Sequence, residues 1–401
     1  MRQPKTAVLV ALLATAAGVL PAGPAAAGTP AAAPAPASAR AGDTAVYIVR
    51  LKPMAADKGK VTAAANALIA KYGGTLRRVY YSVSQAFSVS LSQEQHDDYL
   101  TDASVTTVGD NQVYTAAGTQ ANPPSWGQDR IDQAALPLDH SYTYPNTAAN
   151  VHVYVLDTGV RTSHHDFGGR AHAAFDAVDP GGNRSGTDCN GHGTQVAATI
   201  AGGYFGVAKA ASVESVRTLG CDGRGTSEQI LSALDWVNLN AQRPALLNLS
   251  FAGPSGTVLD IQLYKMTQLG LTYTTAAGNG SPGAGVNACD TTPARQTTGI
   301  TVGATDRADR RLPWSNFGSC VDLYAPGEGI RTAGNGSDTA CTTVSGTSIA
   351  SAEAAGVAAM YLSAHPQAGP DEVTTALTTA ATKDEVTDPG DGSHNLLLHT
   401  A

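Results

Sequence analysis

The sequence predicts an α/β protein: a parallel sheet with helices on both faces, preceded by a small α+β unit. Three observations predict it. Continuous apolar runs at 151–156, 245–249, 271–275 and 300–302 alternate with helical stretches at 194–201, 227–240 and 258–269. That alternation builds strands buried on both sides. The preceding stretch, 44–114, has a different rhythm, in which strand and helix patterns follow a βαββαβ order. Finally, 42% hydrophobic residues against 14% charged ones give 401 residues enough apolar surface for a sizeable core. A disordered chain has the opposite balance. The net charge of -8 leaves no basic surplus to neutralise phosphates, which argues against nucleic-acid and anionic-membrane partners.

The elements follow in order. Arg2 and Lys5 precede a short apolar run from Ala7 to Leu20, and Ala25-Ala26-Ala27 supplies small residues for cleavage before Gly28. Residues 1–27 therefore read as a signal peptide, too short and too broken to anchor in a bilayer, and imply a secreted protein. Residues 28–43 are a Pro/Ala-rich low-complexity linker. In the small unit, 46–51 and 86–91 read as strands and 58–72 as a helix ended by Gly73-Gly74. Ser92 opens a second helix with a capping pattern, and 105–114 closes as a strand. At about 70 residues this unit is marginal alone and wants a partner surface. Residues 115–124 read as an exposed linker.

In the main part an acid ends an apolar strand (Val153-Tyr154-Val155-Leu156-Asp157-Thr158-Gly159). A histidine sits between glycines just before a helix (Asn190-Gly191-His192-Gly193-Thr194), and a serine opens an alanine-rich helix (Gly346-Thr347-Ser348). Singly these are a turn residue, a structural histidine and an N-cap. Together they supply nucleophile, base and orienting carboxylate in the order Asp…His…Ser. Asn279, in Ala276-Ala277-Gly278-Asn279, offers an amide to an oxyanion. Gly278-Asn279-Gly280-Ser281-Pro282-Gly283 fits a dinucleotide fingerprint, but Pro282 and the glycines forbid the helix it needs. No G-x-S-x-G surrounds Ser348 and no His-Glu-x-x-His occurs.

These motifs resemble those of subtilisin-family serine proteases. The flanks Ser125-Trp126-Gly127-Gln128-Asp129-Arg130-Ile131-Asp132 and Ser315-Asn316-Phe317-Gly318-Ser319-Cys320-Val321-Asp322 resemble the proteinase K/aqualysin branch. The resemblance implies a subtilisin-like fold in 117–401, preceded by a ferredoxin-like inhibitory propeptide at 44–116. It implies a secreted, monomeric endopeptidase made as a self-processing zymogen, with its propeptide as inhibitor and with protein and peptide substrates. Substrate would lie between Gly223-Arg224-Gly225-Thr226 and Ser250-Phe251-Ala252, with Ala276, Ala277 and Gly278 walling an uncharged P1 pocket. Cys189 would pair with Cys221 and Cys289 with Cys320, leaving Cys341 free; seven residues before Ser348 it is either a reactive thiol or, as expected of a free cysteine, a buried and inert one. No organic cofactor is implied. Structural Ca2+ is, with Asp322 and the carbonyls of Thr297 and Gly299 as ligands. The chain departs from the family in having Gln195 after His-Gly-Thr and Ala352-Glu353 after the serine, and Gln195 and Glu353 are expected to pair. A catalytically impaired binding protein on the same fold is the competing reading.

Overall fold

The structure, a computed structural model, describes residues 44–111, 118–179, 181, 187–280 and 283–400; the expected signal peptide and linker lie outside them. The small unit runs β1 (Ala45–Leu51), α1 (Lys58–Tyr72), β2 (Thr75–Tyr80), β3 (Ala86–Leu91), α2 (Gln93–Thr101) and β4 (Val105–Asp110). Its strand order is β2-β3-β1-β4, with every pair antiparallel, as a ferredoxin-like unit requires. Asp57 caps α1, and Ser92 with Gln95 forms a capping box on α2. Val49, Leu51, Val61, Leu68, Phe87, Val89, Leu91 and Tyr99 form its own core.

The main part continues with β5 (Gly118–Ala121), α3 (Trp126–Ile131), β6 (Ser141–Tyr144), β7 (His152–Asp157), β8 (Ala171–Asp176), α4 (His192–Ala201), β9 (Ser212–Arg217) and α5 (Ser227–Asn240). After these come β10 (Ala245–Leu249), β11 (Gly253–Pro254), α6 (Thr257–Gln268), β12 (Thr272–Ala276), β13 (Thr291–Thr292), β14 (Ile300–Thr305) and β15 (Leu323–Pro326). The hairpin β16 (Ile330–Ala333) and β17 (Cys341–Val344) leads into α7 (Thr347–Ala364) and α8 (Pro370–Ala380), and β18 (Thr382–Lys383) and β19 (Leu396–Leu397) finish the chain. A nine-stranded sheet has the order β18-β19-β15-β14-β12-β10-β7-β9-β8 and is parallel except for the β18–β19 pair.

Alternation along β7 divides the core. Val153 and Val155 pack with α4, α7 and α8, whereas Tyr154 and Leu156 pack with α5 and α6. After β7 the chain builds β8 and β9 on one side and then crosses to β10 on the other. The carboxyl end of β7 is thus a topological switch point, where open α/β sheets place their chemistry. Helix α7 is Ala-rich and buried on all sides, so it carries no amphipathic stripe. Gly356 lets it approach Val207, whose Cβ would lie 2.4 Å from an added methyl.

Two expectations change here. Residues 118–121 are not a free linker: β5 pairs with β6. Gln120 is clamped as well, its Oε1 accepting from Lys209 Nζ at 2.5 Å and its Nε2 donating to Tyr204 O at 3.2 Å. Gln195 and Glu353 do not pair. Glu353 is 1% exposed, its carboxyl lies against Gly127, and neither oxygen has a hydrogen-bond partner among the described residues. An added methyl on Gly127 would fall 2.2 Å from Glu353 Oε1. Burial pushes the Glu353 pKa up to about 8.

Candidate active site

Asp157 is the last residue of β7 and fully buried. Both its oxygens face His192 Nδ1, at 2.8 and 2.9 Å, so Nδ1 carries the proton and Nε2 is the free base. The imidazole pKa is raised by the Asp157 charge first. Burial opposes this, while the Asp157 hydrogen bond and the Asp188 charge add to it.

His192 begins α4 behind Gly191, which has φ 110° and no capping side chain. The donors of this first turn are nevertheless all satisfied. His192 N donates to Asn190 Oδ1, Gly193 N to Thr158 Oγ1, Thr194 N to Asp188 Oδ2 and Gln195 N to Gly191 O. The Cys189–Cys221 disulfide closes the preceding loop, and Arg217, buried and paired with Asp176 at 3.0 Å, leans on its sulfurs.

Ser348 is 9% exposed in the first turn of α7. No hydrogen bond links its Oγ to the His192 ring among the described residues; such contacts are commonly long in a free enzyme and close on substrate. Its backbone N–H also has no partner among the described residues. Asn279 Oδ1 accepts from Thr347 N (3.1 Å) and Thr347 Oγ1 (2.9 Å), which turns Nδ2 the other way, unpaired. Thr347 Oγ1 in turn accepts from Gly278 N at 3.1 Å. A methyl added to Gly346 would lie 2.8 Å from Ser348 Oγ and 3.7 Å from both Asn279 Nδ2 and Ser348 N. The nucleophile and two open donors thus surround one empty position. Beneath them, the single proton of Ser250 Oγ is shared between Asn248 Oδ1 and Ser348 O, and Asn248 Nδ2 reaches Ser351 Oγ.

Residues 223–226 form an exposed loop between β9 and α5. Gly225 N–H and C=O are free of partners among the described residues, and Thr218 O leaves no room there for a side chain. Phe251 is half-buried and Ala252 exposed beyond β10, and Ala252 Cβ lies 3.3 Å from a methyl added to Gly278. Ala276 is buried, and Ala277 packs into a small core with Ala288, Ala294, Val321 and Tyr324.

Cys289 is joined to Cys320, so both disulfides have the pairing the resemblance implies. Cys341 is exposed on β17 with Arg331 Nη2 3.4 Å from its sulfur, which corrects the expectation of a buried thiol. Sequence reasoning also passed over Asp188, Thr158 and Thr347. Each of their side chains has a partner about 30 to 70 positions away, although Asp188 also binds its near neighbours, and only an acid placed just before the Gly-His-Gly motif hinted at one of them.

A buried Asp bonded to a half-buried His at the carboxyl end of a parallel strand, on the same edge of the sheet as a serine with two open donors, defines the class of serine-type endopeptidases. Comparison with known proteins agrees and narrows it. A model of the subtilase family matches residues 148–395. The chain is 43% identical to the extracellular serine proteinase of Thermus sp. strain Rt41A, over 82% of this chain and 78% of that one. It is 39% identical to alkaline serine exoprotease A of Vibrio alginolyticus, over 80% of this chain and 59% of the longer relative. Proteinase T of Parengyodontium album is 38% identical over 62% of this chain. The solved structure of a cold-adapted subtilisin-like serine proteinase superposes with a TM-score of 0.67 at 43% identity, covering 70% of this chain and 99% of that one. The chain belongs to the subtilase family, on its proteinase K-like side, and is a serine endopeptidase rather than a non-catalytic binder.

Proposed function

We propose that the protein is a secreted endopeptidase in which Ser348 is the nucleophile, His192 the general base and acid, Asp157 its orienting carboxylate, and Asn279 with the Ser348 N–H the oxyanion hole. The observation that carries this reading is the Asp157–His192 pair at 2.8 and 2.9 Å on the same rim as the open donors of Ser348 and Asn279. His192 Nε2 takes the hydroxyl proton as Ser348 Oγ attacks the peptide carbonyl. The imidazolium, stabilised by Asp157, returns that proton to the leaving amine, and water then releases the acyl-enzyme by the same route. The Asn279 amide and the N-terminal dipole of α7 meet the negative charge as it develops.

Substrate joins Gly225 on one side and Ser250-Phe251-Ala252 on the other through main-chain hydrogen bonds, which makes recognition largely sequence-independent. The P1 side chain enters beside Ala252, Ala276, Ala277 and Gly278, with no carboxylate among them, so apolar and aromatic residues are favoured over Lys and Arg. Residues 1–27 are the signal peptide and 44–116 the inhibitory propeptide, removed by the enzyme itself; the mature enzyme acts as a monomer. No helix among the described residues is long and apolar enough to cross a membrane.

Asp322 suits a hard cation. Its carboxyl is largely enclosed and accepts from Thr301 N at 2.8 Å, and burial pushes its pKa up to about 6 against the opposing effects of that hydrogen bond and of His394. With the carbonyls of Thr297 and Gly299 it would hold Ca2+, whose contribution is structural. Treatment of the secreted protein with a serine-directed fluorophosphonate tests the whole reading. One label per chain on Ser348, loss of activity, and Ser348→Ala secreted at full length are expected. Undiminished activity of Ser348→Ala would end it.

A further inference from the structure

Asp188 belongs to none of the motifs that reveal the family, yet its buried carboxylate gathers five hydrogen bonds. Oδ1 accepts from Thr158 Oγ1 (2.9 Å), Asn190 N (3.0 Å) and Gly191 N (2.7 Å); Oδ2 accepts from Thr194 N (3.0 Å) and Thr194 Oγ1 (2.6 Å). These donors come from both halves of the proton relay. Thr158 follows Asp157 at the end of β7, and its hydroxyl also accepts from Gly193 N, while Asn190, Gly191 and Thr194 bracket His192. One carboxylate therefore fixes the end of β7 and the start of α4 in a single frame. Its own backbone is pinned beside the Cys189–Cys221 disulfide, with Asn335 Nδ2 3.5 Å from Asp188 O. No salt bridge compensates its charge among the described residues, which leaves that charge free to act on the ring.

We propose that Asp188 is a positioning residue for catalysis: its carboxylate, bonded both to the end of β7 and to the start of α4, sets the distance between Asp157 and His192. The inference rests on the roles proposed above for Asp157, His192 and Ser348. Two ionisable groups bear on the His192 ring, Asp157 from β7 and Asp188 from the loop before α4, and both raise its proton affinity against the opposing effect of burial. Hydrogen-bond geometry of this kind matters because a displacement of about 1 Å at a reacting group can cost on the order of 10²-fold in rate. Asp157 alone cannot hold that geometry, since β7 and α4 are joined by more than thirty residues of chain.

The test is Asp188→Asn in the protein expressed from its whole chain and collected after secretion and processing. The rate of labelling by a fluorophosphonate is followed against pH, and kcat and KM are measured on an uncharged peptide substrate. Asparagine keeps one acceptor oxygen but turns an NH2 toward Thr194 N–H and removes the charge. The expected result is a kcat lower by about 10- to 100-fold, KM within about twofold, and the acid limb moved to lower pH, since a charge that favours the imidazolium has been removed. Thr194→Val, which keeps the charge, should lower kcat without moving the limb. Unchanged kcat and limb in Asp188→Asn overturn the proposal. If that variant is not secreted in folded form, Thr158→Val carries the test, with a kcat loss supporting the proposal and an unchanged kcat overturning it. His192→Ala separates the two levels: activity surviving there sinks the catalytic reading itself, whereas a dead His192→Ala beside a normal Asp188→Asn sinks only this inference.

Discussion

Helices α4 and α7 both bring a reactive side chain to the rim of the sheet, and both start behind a glycine that offers no cap. They treat their polar groups oppositely. In α4 every donor of the first turn is paired within the protein. Helix α7 leaves two groups unpaired: the Ser348 N–H, which opens on the cleft, and the Glu353 carboxyl, which is sealed in the core. An unpaired donor at a helix N-terminus is an anion site waiting for its charge. An unpaired acid in the interior is a cost carried at every pH where water would ionise it. The closed terminus is a frame, and the open one is where the reaction happens.

Glu353 offers the largest effect with which to break this contrast. Below pH ~4.5, its ordinary value, the carboxyl is protonated folded or unfolded and costs little. From there to about pH 8 the unfolded chain releases the proton while the folded one keeps it, so stability falls as pH rises and the loss is complete once the folded group ionises. A shift of this size corresponds to about 4–5 kcal/mol at most. Glu353→Gln, blocked with inhibitor to prevent autolysis, should therefore gain in Tm over wild type between pH 5 and 8.5, with the gain vanishing near pH 4. Parallel Tm curves would show that Glu353 has a partner after all.

The open end of α7 is probed next. Asn279→Ala removes one donor; the scale is the loss of about 10²- to 10³-fold in kcat measured for such a donor in subtilisin. Gly346→Ala, whose methyl would crowd Ser348 Oγ at 2.8 Å, should fall in the same range with the fold intact by circular dichroism. Near-normal kcat in both would mean that the anion site lies elsewhere. Thr347→Val, which removes one of the two bonds that orient the Asn279 amide and the acceptor of Gly278 N, should cost about tenfold in kcat, the worth of roughly one hydrogen bond, and leave KM unchanged. The smallest effect is at Cys341. Its exposed thiol should react with a disulfide reagent in the folded enzyme, and Cys341→Ser should shift stability by about 0.5 kcal/mol or less. A thiol that reacts only after unfolding would restore the buried reading.

What the sequence made legible was whatever an apolar run or a local motif could carry. β7 and β10 announce themselves because both faces are buried and apolar, and α1 and α2 because their caps lie within three residues. β9 is hidden by Glu214 and Arg217, charges that look solvated until His152 and Asp176 are found beside them. β5 is hidden because Gly118–Ala121 is small and polar, and what holds it, β6 and Lys209, lies about 20 and 90 positions away. The site divides in the same way. The motif residues could be named, but Thr347 acquires meaning only from Asn279 and Gly278, brought in by the fold, and Asp188, whose other partners are local, only when Thr158 joins them. The expected Gln195–Glu353 pair fails because two departures in sequence do not fix proximity, and the helix turns Glu353 toward Gly127.

The tight approach of Gly127 to Glu353 has a consequence for how this chain can change. An alanine at 127 would overlap the carboxyl oxygen and crowd Ile330 Cδ1 at 3.1 Å, so position 127 is frozen for as long as an acid of this length occupies 353. A shorter residue at 353 must come first; only then does the other position become available to mutation. Two sites more than two hundred residues apart thus share one lock, and an engineer or a lineage can open it from one side only.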